Sequence, residues 1–250
     1  MNCGGLGCPL SGVSRGGYTR HVQPQIPANA SPYARRCLEA IAAAGLGSSI
    51  SIGGAFGLSH YLEYRTTHDV DAWWTDAATP DIRGRLVRVV EEAMRTAGSV
   101  RTRSWGEVTS IDLAREGRTV FSFQVAARSG LLNAPRTGPW PGGVLLDSLE
   151  DLVASKMVAL VERGTPRDFR DIHALCQAGL ADPSGCWRLW ESRLLASGER
   201  VDPSRARLAI RSHLARIEAA RPLEGIAGAD QRAQAGQVRA WFKRELLGED

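Results

Sequence analysis

Ser48-Ser49-Ile50-Ser51-Ile52-Gly53-Gly54-Ala55-Phe56, followed by His68-Asp69-Val70-Asp71-Ala72-Trp73-Trp74, is the stretch whose reading decides the fold. Residues 48–52 alternate polar and apolar, the pattern of a half-buried strand, and Gly53-Gly54 halts it. Ala55 to Tyr64 reads as a helix with Phe56, Leu58 and Leu62 on its apolar side. His68 to Trp74 reads as a second strand. Strand side chains alternate, so Asp69 and Asp71 share a face and Val70 takes the other. Two carboxylates roughly 6–7 Å apart repel unless a cation lies between them. Such a pair suits Mg²⁺ or Mn²⁺ carried by a triphosphate. Gly53 and Gly54 let the backbone come close to a phosphate at a helix start. Each element alone also fits a solvated strand end or an ordinary tight turn; the combination points to a nucleotide. Arg65 and Thr67, in the connection, are either phosphate or metal-shell contacts or plain loop residues.

A second stretch runs Lys156-Met157-Val158-Ala159, then Arg163, then Arg167-Asp168-Phe169-Arg170-Asp171. Lys156 is one of two lysines in the chain and stands among Leu152, Val153, Ala154, Met157, Val158 and Leu160. A helix that apolar packs inside and leaves its ammonium aimed at an anion, unless the side chain snorkels to solvent. Gly164-Thr165-Pro166 breaks the helix: a C-terminal stop, an N-cap and a favoured first position. Asp168 then falls at the capping-box position, so it either only secures the helix start or joins the carboxylates of the pocket. Asp171 either pairs locally with Arg167 or faces the pocket.

Around these motifs the pattern changes once. Helices are expected over 32–44 and 81–97, and strands over 109–114 and 119–126 joined by Arg115-Glu116-Gly117-Arg118. A Pro/Gly loop spans 135–143. Beyond it helices are expected over 149–163, 167–179, 185–195, 204–220 and 231–247. The division is therefore a flexible leader (1–30), an α/β core (31–145) and a helical half (146–250), an α+β chain. With 250 residues there is enough chain for a sizeable core. No run approaches the roughly 18 apolar residues of a membrane span, and the N-terminus has no signal-peptide core, so a cytoplasmic address is expected. Five cysteines without a tight pair indicate free thiols rather than disulfides or zinc. The net charge of +4 rests almost wholly on arginine. Arginine suits phosphate contacts, although GC-rich coding gives the same bias.

Residues 45–180 resemble the AbiEii/AbiGii-type nucleotidyltransferase toxins of the polymerase-beta-like superfamily. The likeness is carried by Gly53-Gly54, Asp69-Val70-Asp71, and the run Lys156, Ala159, Arg163, Arg167, Asp168, Asp171. It implies metal-dependent transfer of a nucleoside monophosphate from an NTP, with pyrophosphate leaving. In that picture Asp69 and Asp71 hold the metal, and the Gly53-Gly54 backbone cradles phosphates. Lys156, Arg163 and Arg167 steady the nucleotide, and Asp171 orients or deprotonates the acceptor hydroxyl. The resemblance also implies a bacterial toxin–antitoxin setting, an antitoxin partner, and tRNA or another RNA as acceptor. Arg205, Arg207, Arg211 and Arg216 would then bind acceptor phosphates. Superfamily members commonly carry a third carboxylate on a later strand, where this chain has Gln124; Asp112 or Asp171 are the candidates to replace it. A protein or small-molecule acceptor such as an antibiotic, and a catalytically silent nucleotide-binding module, are the competing expectations.

Overall fold

The computed structural model describes residues 22–249. Its sheet has seven strands: β1 (Ile50–Ile52), β2 (Asp69–Trp74), β3 (Ser99–Trp105), β4 (Val108–Arg115), β5 (Arg118–Ala126), β6 (Arg136–Thr137) and β7 (Leu145–Leu146). They lie in the order β3-β4-β5-β2-β1-β7-β6. β2 runs antiparallel to β1 and parallel to β5, so the Asp-x-Asp strand is central and cannot slip without turning its acids into the core. Among the described residues eight α-helices complete an α+β fold: α1 (Pro32–Ala43), α2 (Gly54–Ser59), α3 (Pro80–Arg95), α4 (Leu149–Glu162), α5 (Pro166–Gln177), α6 (Pro183–Ala196), α7 (Pro203–Ala220) and α8 (Ala229–Trp241).

The two faces of the sheet differ in kind. Ile50, Ile52, Val70, Ile111, Leu113, Phe121 and Phe123 pack with Leu38 and Ile41 of α1 and with Leu86, Val90 and Met94 of α3. On the opposite face the register lines up Asp69, Ser122 and Asp112, and beside them Asp71, Gln124 and Ser110. A second apolar cluster joins α4–α8 through Leu152, Met157, Phe169, Ile172, Trp187, Trp190, Ile210 and Trp241. Leu58 of α2 belongs to that cluster, so the short helix after Gly53-Gly54 ties the two cores together.

Several expectations shift. The helix expected over 55–64 stops at Ser59. His60 turns inward, where Trp140 donates its indole N–H to Nε2 (2.7 Å) and Nδ1 bonds the Phe56 carbonyl (2.8 Å). The chain freed there loops outward and carries Arg65 toward the helical half. β3 was not expected, because Ser99-Val100-Arg101-Thr102-Arg103-Ser104-Trp105 has no apolar face; backbone pairing to β4 holds it as an edge strand. The expected leader lies outside the described residues up to position 21. From Val22 onward the chain rests on the fold: the Gln25 N–H donates to the His60 carbonyl, and the Glu63 carboxylate accepts the Ala28 and Asn29 amides. Cys3 and Cys8 also lie outside the described residues; Cys37, Cys176 and Cys186 are free thiols.

Candidate active site

Gly54 sits at φ +57°, in the left-handed region, and a Cβ there would lie 2.0 Å from Asp71 Oδ2. The glycine turn and the carboxylate are therefore in direct apposition. The Gly53 N–H donates to the Asp71 carbonyl (2.8 Å), which pins the turn to β2. Within the Gly53-Gly54 backbone expected to cradle phosphates, the Gly53 amide is thus already committed to the Asp71 carbonyl. Asp69 is exposed, whereas Asp71 is partly covered. Burial raises the Asp71 carboxyl above its usual range, with Lys156 opposing and the charge of Asp69 adding to the effect.

Lys156 and Asp171 arrive from α4 and α5. Lys156 Nζ lies 2.7 Å from Asp171 Oδ2, and Arg65 grips the same carboxylate with Nε–Oδ1 at 2.8 Å and Nη2–Oδ2 at 3.1 Å. Asp171 is fully buried. Burial pushes its pKa up, yet the Arg65 and Lys156 contacts outweigh this and hold it below the ordinary carboxylate range. Both oxygens are taken and the proton affinity is low, so the expected role as a base toward the acceptor hydroxyl is disfavoured. The expected local pair with Arg167 does not form either; Arg167 is exposed on α5. Asp171 instead anchors Lys156 and the 60–68 loop against one another. Tyr64 places its buried hydroxyl beside this carboxylate without a hydrogen bond of good geometry.

The remaining candidates divide clearly. Asp168 closes the capping box, accepting the Thr165 N–H (3.0 Å), and also takes both guanidinium arms of Arg163 (3.0 and 2.9 Å). Thr67 Oγ1 bonds within its own turn to the Asp69 backbone. Asp112 accepts from Ser110, Ser122 and Arg103, and sits two strands from Asp69. It does not join the carboxylate pair, and among the described residues no cluster of three or more metal-type ligands forms. Of the C-terminal arginines expected to face an acceptor, Arg207 stacks on Trp187 and bonds the Leu246 carbonyl, Arg211 pairs with Glu249, and Arg216 bonds the Arg163 carbonyl. Arg205 alone of the four has its side chain outside such contacts.

One layer behind Gly53 was not anticipated. Asp147 Oδ1 accepts from Ser51 (2.5 Å) and Arg128 (2.6 Å), and Arg128 lies over the Trp73 ring. A Cβ on Gly53 would meet Trp73 Nε1 at 2.3 Å and Asp147 Oδ2 at 3.2 Å. Burial raises the Asp147 carboxyl despite Arg128. The only sequence signal was Asp147 standing just before the N-cap Ser148 of α4. That position reads as an ordinary helix start.

A scan against protein-family models matches residues 36–241 to "AbiEii: Nucleotidyl transferase AbiEii toxin, Type IV TA system". The chain belongs to this family. It is a nucleotidyltransferase of the AbiEii toxin type. A search of curated proteins finds no match. Among solved structures, an antigenic nucleotidyltransferase-like protein from Paracoccidioides brasiliensis aligns at 17% identity, covering 80% of this chain and 93% of that one, with a TM-score of 0.36. The AbiEii match spans every element of the site, from the Gly53-Gly54 turn to Asp171. Among the described residues no helix is long and apolar enough to cross a membrane.

Proposed function

We propose that the chain transfers a nucleoside monophosphate from an NTP to an RNA hydroxyl, tRNA being the first acceptor to test, as the toxin of a toxin–antitoxin pair. The observation that carries this reading is Asp69-x-Asp71 on the polar face of the sheet, abutting Gly54, with Lys156 beside it. Two carboxylates on one strand face are what a triphosphate-borne Mg²⁺ or Mn²⁺ needs from protein, since substrate oxygens and water complete its shell. Asp69 and Asp71 would hold it. When bound it would supply charge neutralisation at the α-phosphate.

The chain's own residues do the positioning. The amides after Gly53 face the phosphates, and Gly54 admits them because no side chain stands there. Lys156, held in place by Asp171, contributes a fixed positive charge toward the leaving pyrophosphate. Arg163 and Arg167 extend that charge outward. The acceptor oxygen forms the new bond to the α-phosphorus while the bond to pyrophosphate breaks. Gln124 stands in register with Asp71 and cannot take a proton, and both oxygens of Asp171 are engaged by Arg65 and Lys156; in this reading the acceptor proton passes to solvent water. An antitoxin is the expected protein partner. The test is incubation with each α-³²P-labelled NTP, Mg²⁺ and total tRNA, beside Asp69→Ala. Label on RNA that requires Asp69 supports the reading; label on protein, on a small molecule or on nothing rejects the RNA acceptor.

A further inference from the structure

β3 places Arg101, Arg103 and Trp105 on the same sheet face as the two aspartates. The register shows this directly. Arg101 lies opposite Asp112, Asp112 opposite Ser122, and Ser122 opposite Asp69; Arg103, Ser110, Gln124 and Asp71 form the next row. Trp105 pairs with Val108, Val108 with Ala126, and Ala126 with Trp73, which makes a third row. The contact of Arg103 Nη2 with Asp112 Oδ2 (2.6 Å) confirms the facing, as does Thr102, which points the other way to bond Glu91 of α3. None of the C-terminal helices makes a substantial contact with β3, β4 or β5; Arg101 and Arg103 are exposed and Ser122 and Gln124 partly so, while Ser110 and Asp112 are buried between their neighbours.

Charged side chains on an edge strand are ordinary protection against unwanted pairing. Trp105 is not explained that way. It is 51% exposed and is the only aromatic among the large exposed apolar side chains of the described residues. A tryptophan in line with two arginines on one strand face, beside the polar rows that lead to Asp69 and Asp71, combines a stacking surface with phosphate partners.

We propose that the β3 edge is a platform for a single-stranded segment of nucleic acid, with Trp105 stacking on a base and Arg101 and Arg103 contacting phosphates. β3 lies three strands from β2, roughly 14 Å, so a strand crossing the face over the partly exposed Ser122 and Gln124 delivers its end to Asp69 and Asp71. This rests on the nucleotidyltransferase reading for that destination. It replaces the C-terminal arginines, mostly held in internal contacts, as the acceptor surface. Asp112 acquires a purpose in it: it orients Arg103.

The experiment is fluorescence anisotropy with a labelled single-stranded oligoribonucleotide of about 12 nucleotides, across a salt series, for the wild type, Trp105→Ala, Trp105→Phe, Arg101→Ala and Asp69→Ala. Stacking at about 1–3 kcal/mol per base predicts that Trp105→Ala weakens binding roughly 5- to 150-fold, with Trp105→Phe restoring much of it. Arg101→Ala should lower the salt slope by about 0.7. Asp69→Ala should bind the oligonucleotide no worse than wild type. Circular dichroism checks folding, which these exposed sites leave intact. Unchanged affinity in both Trp105→Ala and Arg101→Ala overturns the platform, as does equal dependence on Trp105 for a duplex of the same length. No oligonucleotide binding at low salt also overturns it and leaves the edge to a protein partner. Transfer to RNA that is unaffected by Trp105→Ala at subsaturating RNA defeats the platform alone. Trp105-dependent binding without any nucleotidyl transfer defeats the transferase reading alone.

Discussion

Replacing Gly54 with alanine tests the apposition of the glycine turn and Asp71. The substitution does two things. It puts an L-residue at φ +57°, which costs about 1–2 kcal/mol. It also sets a methyl 2.0 Å from Asp71 Oδ2 and 2.8 Å from Asp71 Cβ. Contact at an ordinary separation requires the carboxylate to retreat by about 1 Å or more, and a misplacement of that size in a reacting constellation costs on the order of 100-fold in rate. Gly45→Ala is the matched control. Gly45 has φ +69° with nothing within 4 Å of its added Cβ, so it shares the strain and lacks the collision. Urea denaturation should show both variants destabilised, Gly54→Ala by about 1–3 kcal/mol more because the displaced group is overpacked. Initial rates of nucleotidyl transfer should fall about 100-fold for Gly54→Ala and stay near wild type for Gly45→Ala. Equal activity in the two variants would refute the claim that the Gly54 turn sets the position of Asp71.

Lys156→Met should lower kcat/KM for the NTP by about 10- to 150-fold, the loss of a charge-assisted contact; wild-type kinetics would show that the lysine serves only Asp171. Asp171→Asn should be mainly a stability variant, costing about 3–5 kcal/mol in chemical denaturation, because Arg65 and Lys156 lose one buried counter-charge together. Asp112→Asn should keep transfer within a few-fold of wild type while Asp69→Asn abolishes it; equal losses in steady-state rates would place Asp112 with the metal after all. His60 titrates at about 4 rather than 6.5, chiefly through burial. A histidine depressed in the folded state contributes stability that is present above 6.5 and is lost as pH falls toward 4, about 3 kcal/mol in all. Denaturation midpoints of wild type and His60→Gln should therefore converge over that window, and parallel pH profiles would contradict the buried neutral imidazole.

Much of this molecule was written locally. Ser31, Ser148, Thr165, Asp182 and Asp202 cap their helices by bonds spanning three residues. The Glu116-Gly117 turn closes β4 on β5 with positive φ at both residues. The alternation of Asp69, Val70 and Asp71 settles which face each side chain takes once the strand exists, and the capping role of Asp168 follows from its distance to Thr165. These features depend on neighbours a few residues away, so periodicity and spacing suffice to read them.

Only the tertiary structure decided who meets whom across the chain. Asp171 pairs with Arg65, 106 positions earlier, because His60 ends α2 early and releases the loop that carries the arginine over. Gly53 loses its amide to Asp71 because β1 and β2 are neighbours. β3 has no apolar face to announce it; it exists because β4 offers an unpaired row of backbone groups, and backbone hydrogen bonds carry no side-chain signature. The sequence by itself determined the carboxylate pair, the lysine helix and the family. The partnership of Asp171 with Lys156, the dead end of Asp112 and the exposed row of Arg101, Arg103 and Trp105 came from packing, since long-range contacts depend on which surfaces are buried together.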